Sequence, residues 1–134
     1  MDKPYHITLD HTRRLVWIQH EGGIDLAIAA LMTTEARQLA NTHCYHLLYD
    51  FRRSRITASL TAVGEFPSVH VTSVLGEHPE LASANLISPN DNLEYWRFYG
   101  RACESAGVIW KAFFDESEAL IWLAQFPVQG ASQP

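Results

Sequence analysis

The sequence predicts an α/β fold in which one mixed five-stranded sheet is covered by packed helices, in the order ββαβαβαβα. Two alternating segments near the N-terminus are joined by a tight turn, which predicts an antiparallel hairpin. Beyond it, short apolar segments alternate with longer segments of helical periodicity, as in parallel sheets. The 134 residues are 47% hydrophobic and 19% charged. This is the size and composition of one globular domain.

The N-terminal third is predicted to contain two strands, a helix and a third strand. Residues 5–9 alternate as a strand does, and residues 15–20 form the second strand of the hairpin. Asp25 is the predicted N-cap of a helix that runs to about residue 42. Residues 46–50 are a short apolar strand bounded by polar residues. The resulting strand-helix-strand unit implies parallel pairing.

The middle of the chain is predicted to hold two helical pieces and a strand. Residues 57–75 have helical propensity but contain Gly64 and Pro67. We therefore expect a kink there, and treat this stretch as a candidate mobile element. Residues 81–87 form the predicted fourth strand.

A fifth strand and two further helices complete the predicted domain. The strand covers residues 108–113, and the helices cover residues 92–106 and 115–126. We assign residues 1–126 to one domain and the small, polar residues 127–134 to a flexible tail.

The helix predicted over residues 92–106 has an ordered aromatic face. At about 100° per residue, one arc holds the aromatic side chains and the charged ones fall outside it. The arc covers about 160–220°, more than the ~100° that a surface helix needs. Packing on a sheet and a neighbouring helix accounts for this width. The alternative is a pocket or partner surface at its margin, to which Trp96 or Phe98 would contribute.

The last predicted helix begins with a capping pattern. Asp115 is the expected N-cap and Glu118 stands three residues later. Trp122 flanks the apolar side, whereas Ile121 falls on the far side and is expected to be exposed. If Ile121 and Trp122 join one patch, this helix would serve as a lid or a dimer surface.

Composition and motifs exclude several classes of function. Ten basic and 15 acidic residues give a net charge of -5, which argues against a non-specific nucleic-acid binder. The first five residues lack a signal-peptide core, and residues 26–32, the longest apolar run, are too short to span a bilayer. We therefore expect a cytoplasmic protein whose membrane contact is at most peripheral. With no nucleophile-elbow or glycine-rich phosphate motif, we predict that it is not an enzyme and needs no cofactor.

The cysteines and histidines predict no metal site. Cys44 and Cys103 lie inside predicted elements and are expected to be buried thiols of a reducing compartment, although one disulfide remains open. Residues 43–46 read His-Cys-Tyr-His, but they run from a helix end into a strand, so their side chains should diverge. No second ligand cluster has suitable spacing.

Three arginines form the main candidate polar site. Arg52, Arg53 and Arg55 follow the predicted third strand. The ends of parallel strands and the starts of helices are where α/β sheets bind anions. The alternative is a solvated loop in which one arginine pairs with Asp50.

The order and spacing of three motifs along residues 5 to 124 resemble those of the SpoIIAA-like family. Residues 47–53, LLYDFRR, place an aspartate and a charged segment after the third strand. A strand that ends in a Pro-Asn-Asp turn leads into the aromatic helix. Residues 113–123 read FFDESEALIWL, which resembles the family's closing pattern F-x-D-x-x-x-A-x-x-W-L.

The resemblance implies a STAS-like fold related in shape to CRAL-TRIO lipid-transfer domains. Members are mostly uncharacterised bacterial proteins, for which ligand binding and membrane association are proposed. More distant STAS anti-anti-sigma factors carry an Asp-Ser-Ser-Gly phosphorylation motif after the matching strand. That motif is absent here, so Ser54, Thr57 and Ser59 are candidate phosphosites by position alone.

Two functional hypotheses follow. The first is a binding module for a small amphipathic or anionic, lipid-like ligand; its ligand-binding residues would be Arg52, Arg53 and Arg55 for the head and Trp96, Phe98 and Trp122 for the tail. The second is a regulatory protein-interaction domain that binds a partner or a second copy of itself. A deep cavity beside the aromatic helix would favour the first hypothesis, and a flat exposed patch the second.

Overall fold

The computed structural model describes residues 3–90 and 92–127, in which five strands form one mixed sheet. The strands are β1 (Tyr5–Asp10), β2 (Leu15–Ile24), β3 (His46–Ile56), β4 (Ser83–Leu86) and β5 (Trp110–Phe113). The helices are α1 (Leu26–His43), α2 (Leu60–Val69), α3 (Leu93–Ser105) and α4 (Glu116–Leu123), with a 3₁₀ turn at Val71–Val74. β1 pairs antiparallel with β2, and the other pairs are parallel. The predicted fold class and element order are confirmed.

The strands lie side by side in chain order, and this arrangement distributes the helices unequally. Right-handed crossovers that always advance in one direction place each connecting helix on the same side of the sheet. α1, α2 and α3 accordingly pack on one face, which we call the helical face, and α4 packs on the other.

The core has a large part on the helical face and a smaller part under α4. Alternation along β3 sends Leu47, Tyr49 and Phe51 to the helical face and Leu48 to the other. Aromatic residues dominate the first part, in which Trp96 of α3 joins them. The second part is mainly leucine and alanine.

The arginine segment lies in a strand, so the predicted loop is wrong. β3 continues to Ile56 because β2 also extends past its predicted end and provides backbone partners. Glu21 is paired with Arg53 and Gly23 with Arg55, after a bulge that shifts the register.

The predicted kink is also displaced. α2 runs through Gly64 and Pro67, and its C-cap is His70, where the 3₁₀ turn begins. Gly64 lies directly against α3, because a Cβ built there would lie 2.5 Å from Cε2 of Phe98 and the ring would have to move. The proline costs only one intrahelical hydrogen bond in a helix that packing holds in place.

The last two helices follow the predicted patterns. On α3, Trp96 and Cys103 are buried and the charged residues outside the aromatic arc are exposed. Asp115 accepts hydrogen bonds from the backbone N–H groups of Ser117 and Glu118, at 2.6 and 3.4 Å, and so caps α4. Ile121 is 65% exposed, as expected.

His46 joins three segments of the chain through its ring. Its Nδ1 accepts from the backbone N–H of Ala82 at 2.9 Å, so the proton is on Nε2, which donates to the carbonyl of Phe126 at 3.2 Å. The neutral ring thus has both nitrogens satisfied. Burial lowers the pKa of His46 below its usual 6.5.

We expect Gly64→Ala to destabilise the protein by about 1–3 kcal/mol, although alanine is normally the better helix former. The reason is the collision with the Phe98 ring. Urea unfolding measures the change, and Thr61→Ala at an exposed position of α2 is the matched control. An unfolding free energy equal to or above that of the parent chain would contradict this account of α2–α3 packing.

We expect the free energy of unfolding to fall between about pH 7 and pH 5, in part through His46. Its folded pKa lies below the unfolded value, so the unfolded chain binds more protons in this range and stability falls as pH falls. His46→Gln, which can keep one acceptor and one donor, should reduce this slope. His6→Gln at an exposed position should leave it unchanged. Equal slopes in all three proteins would show that His46 does not contribute.

Candidate functional site

A cavity of about 80 Å³ lies between the sheet and the three helices of the helical face. Side chains of β3, β4 and β5 form its floor, and α1, α2 and α3 provide its walls. At one end it is lined by residues that follow β2 and β3, including Asp25 and Ala58. This end is the carboxyl edge of the parallel strands, where α/β proteins commonly bind ligands.

The apolar lining is largely aromatic. The Phe51 ring stacks on Trp96 with centroids 4.7 Å apart, and Trp96 stacks on Trp110 at 6.4 Å. Tyr99 meets Trp110 edge-on at 5.4 Å. Helix α3 approaches this cluster closely at Gly100, where an added Cβ would lie 2.8 Å from the Trp110 ring. The stacked rings give the cavity a rigid wall that suits an apolar or aromatic ligand body.

Arg37 is a buried charge that contributes to the cavity lining from α1. The residue is only 2% exposed, and its Nη1 donates to the carbonyl of Leu81 at 3.1 Å. Within residues 3–90 and 92–127, no carboxylate forms an ion pair with it. Burial lowers the pKa of its guanidinium, but arginine remains protonated in proteins. An unpaired buried charge of this kind costs several kcal/mol.

The ionisable groups around Arg37 carry no compensating negative charge. Burial raises the pKa of Tyr49 to about 12 and that of Cys103 to about 12. Burial also raises the pKa of Tyr99 well above its usual value. All three groups are therefore neutral at physiological pH, and their hydroxyl and thiol protons are retained.

The floor carries buried polar groups on β4. Asn85 is 1% exposed, and its Nδ2 donates to the carbonyl oxygens of Ser83 at 3.0 Å and Lys111 at 3.2 Å. Ser83 Oγ lies 3.4 Å from Asn85 Oδ1. The cavity therefore combines apolar walls with a few fixed polar groups and the buried positive charge of Arg37, which is the composition of a small-molecule site. The exposed Asp25 carboxylate lines the carboxyl-edge end and accepts from the backbone N–H of Ile28 as the N-cap of α1.

The six predicted ligand-binding residues do not come together. Trp96 lines the cavity, whereas Phe98 packs on Gly64 of α2 outside it. Trp122 lies on the opposite face of the sheet, against Phe113 and Phe126 with centroids 5.6 and 4.8 Å away. Sequence periodicity placed each ring on an apolar side but not on a common face.

The three arginines lie on the surface of β3. Arg52 makes two hydrogen bonds to the Asp50 carboxylate, at 3.0 and 2.8 Å, as in the alternative interpretation of this segment. Arg53 lies 3.9 Å from a carboxylate oxygen of Glu21. Arg55 is exposed and is paired through its backbone with Gly23. None of them lines the cavity, so their ligand-binding role stays a prediction.

The candidate phosphosites have structural hydrogen bonds. Ser54 is buried, donates to the carbonyl of His20 at 3.1 Å and lies 2.7 Å from Nδ1 of the same histidine. Thr57 donates to the carbonyl of Ile24, and Ser59 accepts from the N–H of Ala62 as the N-cap of α2. A phosphate on Ser54 or Thr57 would remove the hydroxyl proton that each donates, whereas a phosphate on Ser59 would keep acceptor oxygens for the N–H groups at the start of α2.

Sequence reasoning missed Arg37, although a local signal existed. Thr33 and Arg37 stand one helical turn apart and flank the buried Met32, Ala36 and Ala40. A charged residue among small apolar residues on the inner side of a helix indicates a buried polar site. Hydrophobicity alone would not have marked this side of α1, because the apolar side chain of Leu31 is 65% exposed.

The cysteines are both free thiols, but only one fits its prediction. Cys103 is buried in α3, whereas Cys44 is half-buried and forms the C-cap of α1. No group of three or more His, Cys, Asp or Glu residues in the described part of the chain is arranged to hold a metal ion. None of the helices described here has the length and hydropathy that a bilayer crossing requires.

Comparison with known proteins identifies the fold. No protein-family model matches the chain, and no curated protein matches it significantly. Among solved structures, it is similar to an uncharacterised protein of the DUF3478 family with a SpoIIAA-like fold, from Shewanella loihica PV-4. The match has a TM-score of 0.55 at 16% identity and covers 89% of this chain and 93% of the other. The SpoIIAA-like fold expected from the sequence is thereby confirmed.

We expect Arg37→Met either to raise the free energy of unfolding or to lower it by no more than about 1 kcal/mol. Relief of the buried charge should offset the lost hydrogen bond to Leu81. Chemical denaturation measures the difference, with Arg97→Met at an exposed position of α3 as the control. A loss of about 3 kcal/mol or more would instead assign Arg37 a structural role.

Proposed function

We propose that this SpoIIAA-like domain is a non-enzymatic binding module whose cavity takes a small amphipathic anion. The observation that carries the proposal is Arg37, a buried guanidinium beside the cavity with one hydrogen bond to a carbonyl and no ion pair within the described residues. A bound anion would supply the missing negative charge. A buried charge without a counter-ion lowers the free energy of unfolding. A role in binding best explains why the protein has an arginine at this position.

The size of the cavity favours a short ligand. One water-sized position takes about 10–15 Å³, so 80 Å³ corresponds to about five to eight such positions. This suits a branched aliphatic or single-ring body. A long acyl chain would require α1 and α2 to separate, so the ligand we propose is smaller than a membrane lipid.

The polar groups favour a monoanionic carboxylate. Arg37 provides a single positive charge, which a singly charged head would neutralise. Tyr49 and Tyr99 have raised pKa values, so both hydroxyls keep their protons and remain potential donors to an oxyanion. The ligand body would lie against Trp96 and Trp110, whose rings form the apolar wall.

A regulatory protein-interaction domain is the second candidate. The observation in its favour is a shallow surface groove between the N-terminal residues and α1, lined by Tyr5, Ile28 and the exposed Leu31. The groove has no buried charge that calls for a particular ligand. We therefore rank this role below binding in the cavity.

The test is binding of a monocarboxylate panel with short branched and single-ring bodies, measured by calorimetry beside the matching primary amides. We expect carboxylates to bind more tightly than amides in the parent chain, and Arg37→Met to abolish the difference. Loss of one charge-assisted hydrogen bond should weaken binding by at least about tenfold.

Arg52→Met is the matched control, because Arg52 lies on the surface of β3 and pairs with Asp50. It should bind the panel as the parent chain does. Carboxylate binding that survives Arg37→Met but is lost in Arg52→Met would overturn the cavity proposal in favour of the surface arginines. Binding of no carboxylate, together with a ligand-free native mass spectrum, would favour the protein-interaction role.

A further inference from the structure

The side chains of a cysteine, a histidine and a glutamate lie in a row in space at the amino edge of the parallel strands. This edge is opposite the end of the cavity that is lined by Asp25 and Ala58. Cys44 Sγ is 3.5 Å from Nε2 of His78, and Nδ1 of His78 is 3.1 Å from a carboxylate oxygen of Glu80. This is the order of nucleophile, base and orienting group that activates a thiol. The residues come from two segments that are far apart in the sequence, the end of α1 and the loop before β4.

The carboxylate determines which nitrogen of His78 carries the proton. Glu80 can only accept when ionised, so the contact at 3.1 Å requires an N–H on Nδ1. In the neutral ring, Nε2 then has a lone pair directed towards Cys44 Sγ. The thiol proton can therefore pass to Nε2, and the imidazolium that forms is stabilised by Glu80.

The loop that carries His78 is fixed to α1 through Asn41. The backbone N–H of His78 donates to Asn41 Oδ1 at 2.9 Å, and Asn41 Nδ2 donates to the carbonyl of Leu75 at the same distance. Gly76 has a φ of +68°, and a Cβ there would lie 2.8 Å from Asn41 Nδ2. Asn41 is thus a positioning residue that holds the imidazole against the thiol.

The backbone of Cys44 is in the left-handed region, with φ 57° and ψ 45°. Glycine or asparagine is usual at such a helix end, so a cysteine here is an outlier that invites a functional explanation. Cys44 is half-buried, so part of the residue is open to a small reagent. Cys103, the other thiol, is buried in α3 and has its pKa raised by burial to about 12.

Acyl transfer does not fit this site. The backbone N–H groups of Cys44 and Tyr45 both donate to the carbonyl of Ala40, so neither is free to stabilise an oxyanion beside the sulfur. Attack on a peroxide needs no such donors, since no tetrahedral oxyanion forms. It needs a thiolate and a proton for the departing oxygen, and Cys44 with His78 can supply both.

We propose that Cys44, His78 and Glu80 form a thiol-modification site that reacts with small hydroperoxides. The thiol proton moves to His78 Nε2, and the thiolate attacks the terminal peroxide oxygen. An S–O bond forms, the O–O bond breaks, and the alkoxide or hydroxide leaves with the proton from His78. The sulfur is oxidised to a sulfenic acid and the peroxide is reduced to an alcohol or water. One external low-molecular-weight thiol then condenses with the sulfenic acid to give a mixed disulfide and water. A second external thiol attacks that disulfide, which releases Cys44 as the free thiol and the external disulfide as the product.

The experiment exposes the full-length protein to hydrogen peroxide at neutral pH and traps sulfenic acid with dimedone. Peptide mass spectrometry then measures the rate at each cysteine. We expect labelling of Cys44 and none of Cys103, and a rate at Cys44 at least about tenfold lower in His78→Ala. Glu80→Ala should slow the reaction more than Glu80→Gln, which keeps an acceptor oxygen for Nδ1–H. Glu77→Gln, at an exposed position of the same loop, should match the parent chain.

Denaturation separates chemistry from loss of structure. In concentrated urea the rates at Cys44 should become equal in all variants, because His78 no longer lies beside the sulfur. Thermal unfolding of each variant checks that it is folded under the reaction conditions. If His78→Ala is not folded, the comparison of Glu80→Ala with Glu80→Gln tests the site. A Cys44 rate in the native chain that equals the rate in urea, or that is the same in every folded variant, would overturn the proposal.

Discussion

The parallel strands of the sheet are added in one direction only, from β2 to β5. Because each crossover has the same hand, α1, α2 and α3 must share one face, and α4 alone covers the other. Three helices on a narrow sheet cannot all pack flush against it. Aromatic side chains fill most of the space between them, and the remaining space is the cavity. The same order places the starts of all three helices at one edge of the sheet.

Arg37 is a charged residue in buried surroundings that disfavour a charge. A charge removed from water is tolerated only where a partner or a bound ion repays the desolvation cost. The nearby Tyr49, Tyr99 and Cys103 are held neutral by the same burial, so they cannot serve as counter-charges. The surface arginines of β3 show the contrast, since Arg52 already pairs with a carboxylate and remains largely solvated.

Helix α1 links two chemically different regions. Arg37 on its inner side contributes to the cavity, and one turn later Asn41 accepts from the loop that carries His78. Cys44 follows at the helix end. The two regions are connected by a direct hydrogen bond, from Asn41 Nδ2 to the carbonyl of Arg37 at 2.8 Å. A rigid helix therefore carries a ligand-facing group and a reactive thiol at fixed positions relative to one another.

Features that depend on near neighbours in the chain could be predicted from the sequence. Periodicity predicted the element order and the exposed and buried sides of α3, and capping chemistry located the starts of α1 and α4 at Asp25 and Asp115. The length of β3 depends on a distant segment, because its last residues need β2 as a partner. The contact of α2 with α3 explains Gly64, where the sequence indicated a kink, and the six predicted ligand-binding residues fall in separate places. The cavity around Arg37 and the Cys44–His78 contact join residues that are distant in sequence, and a pattern within one segment carries no information about such distances.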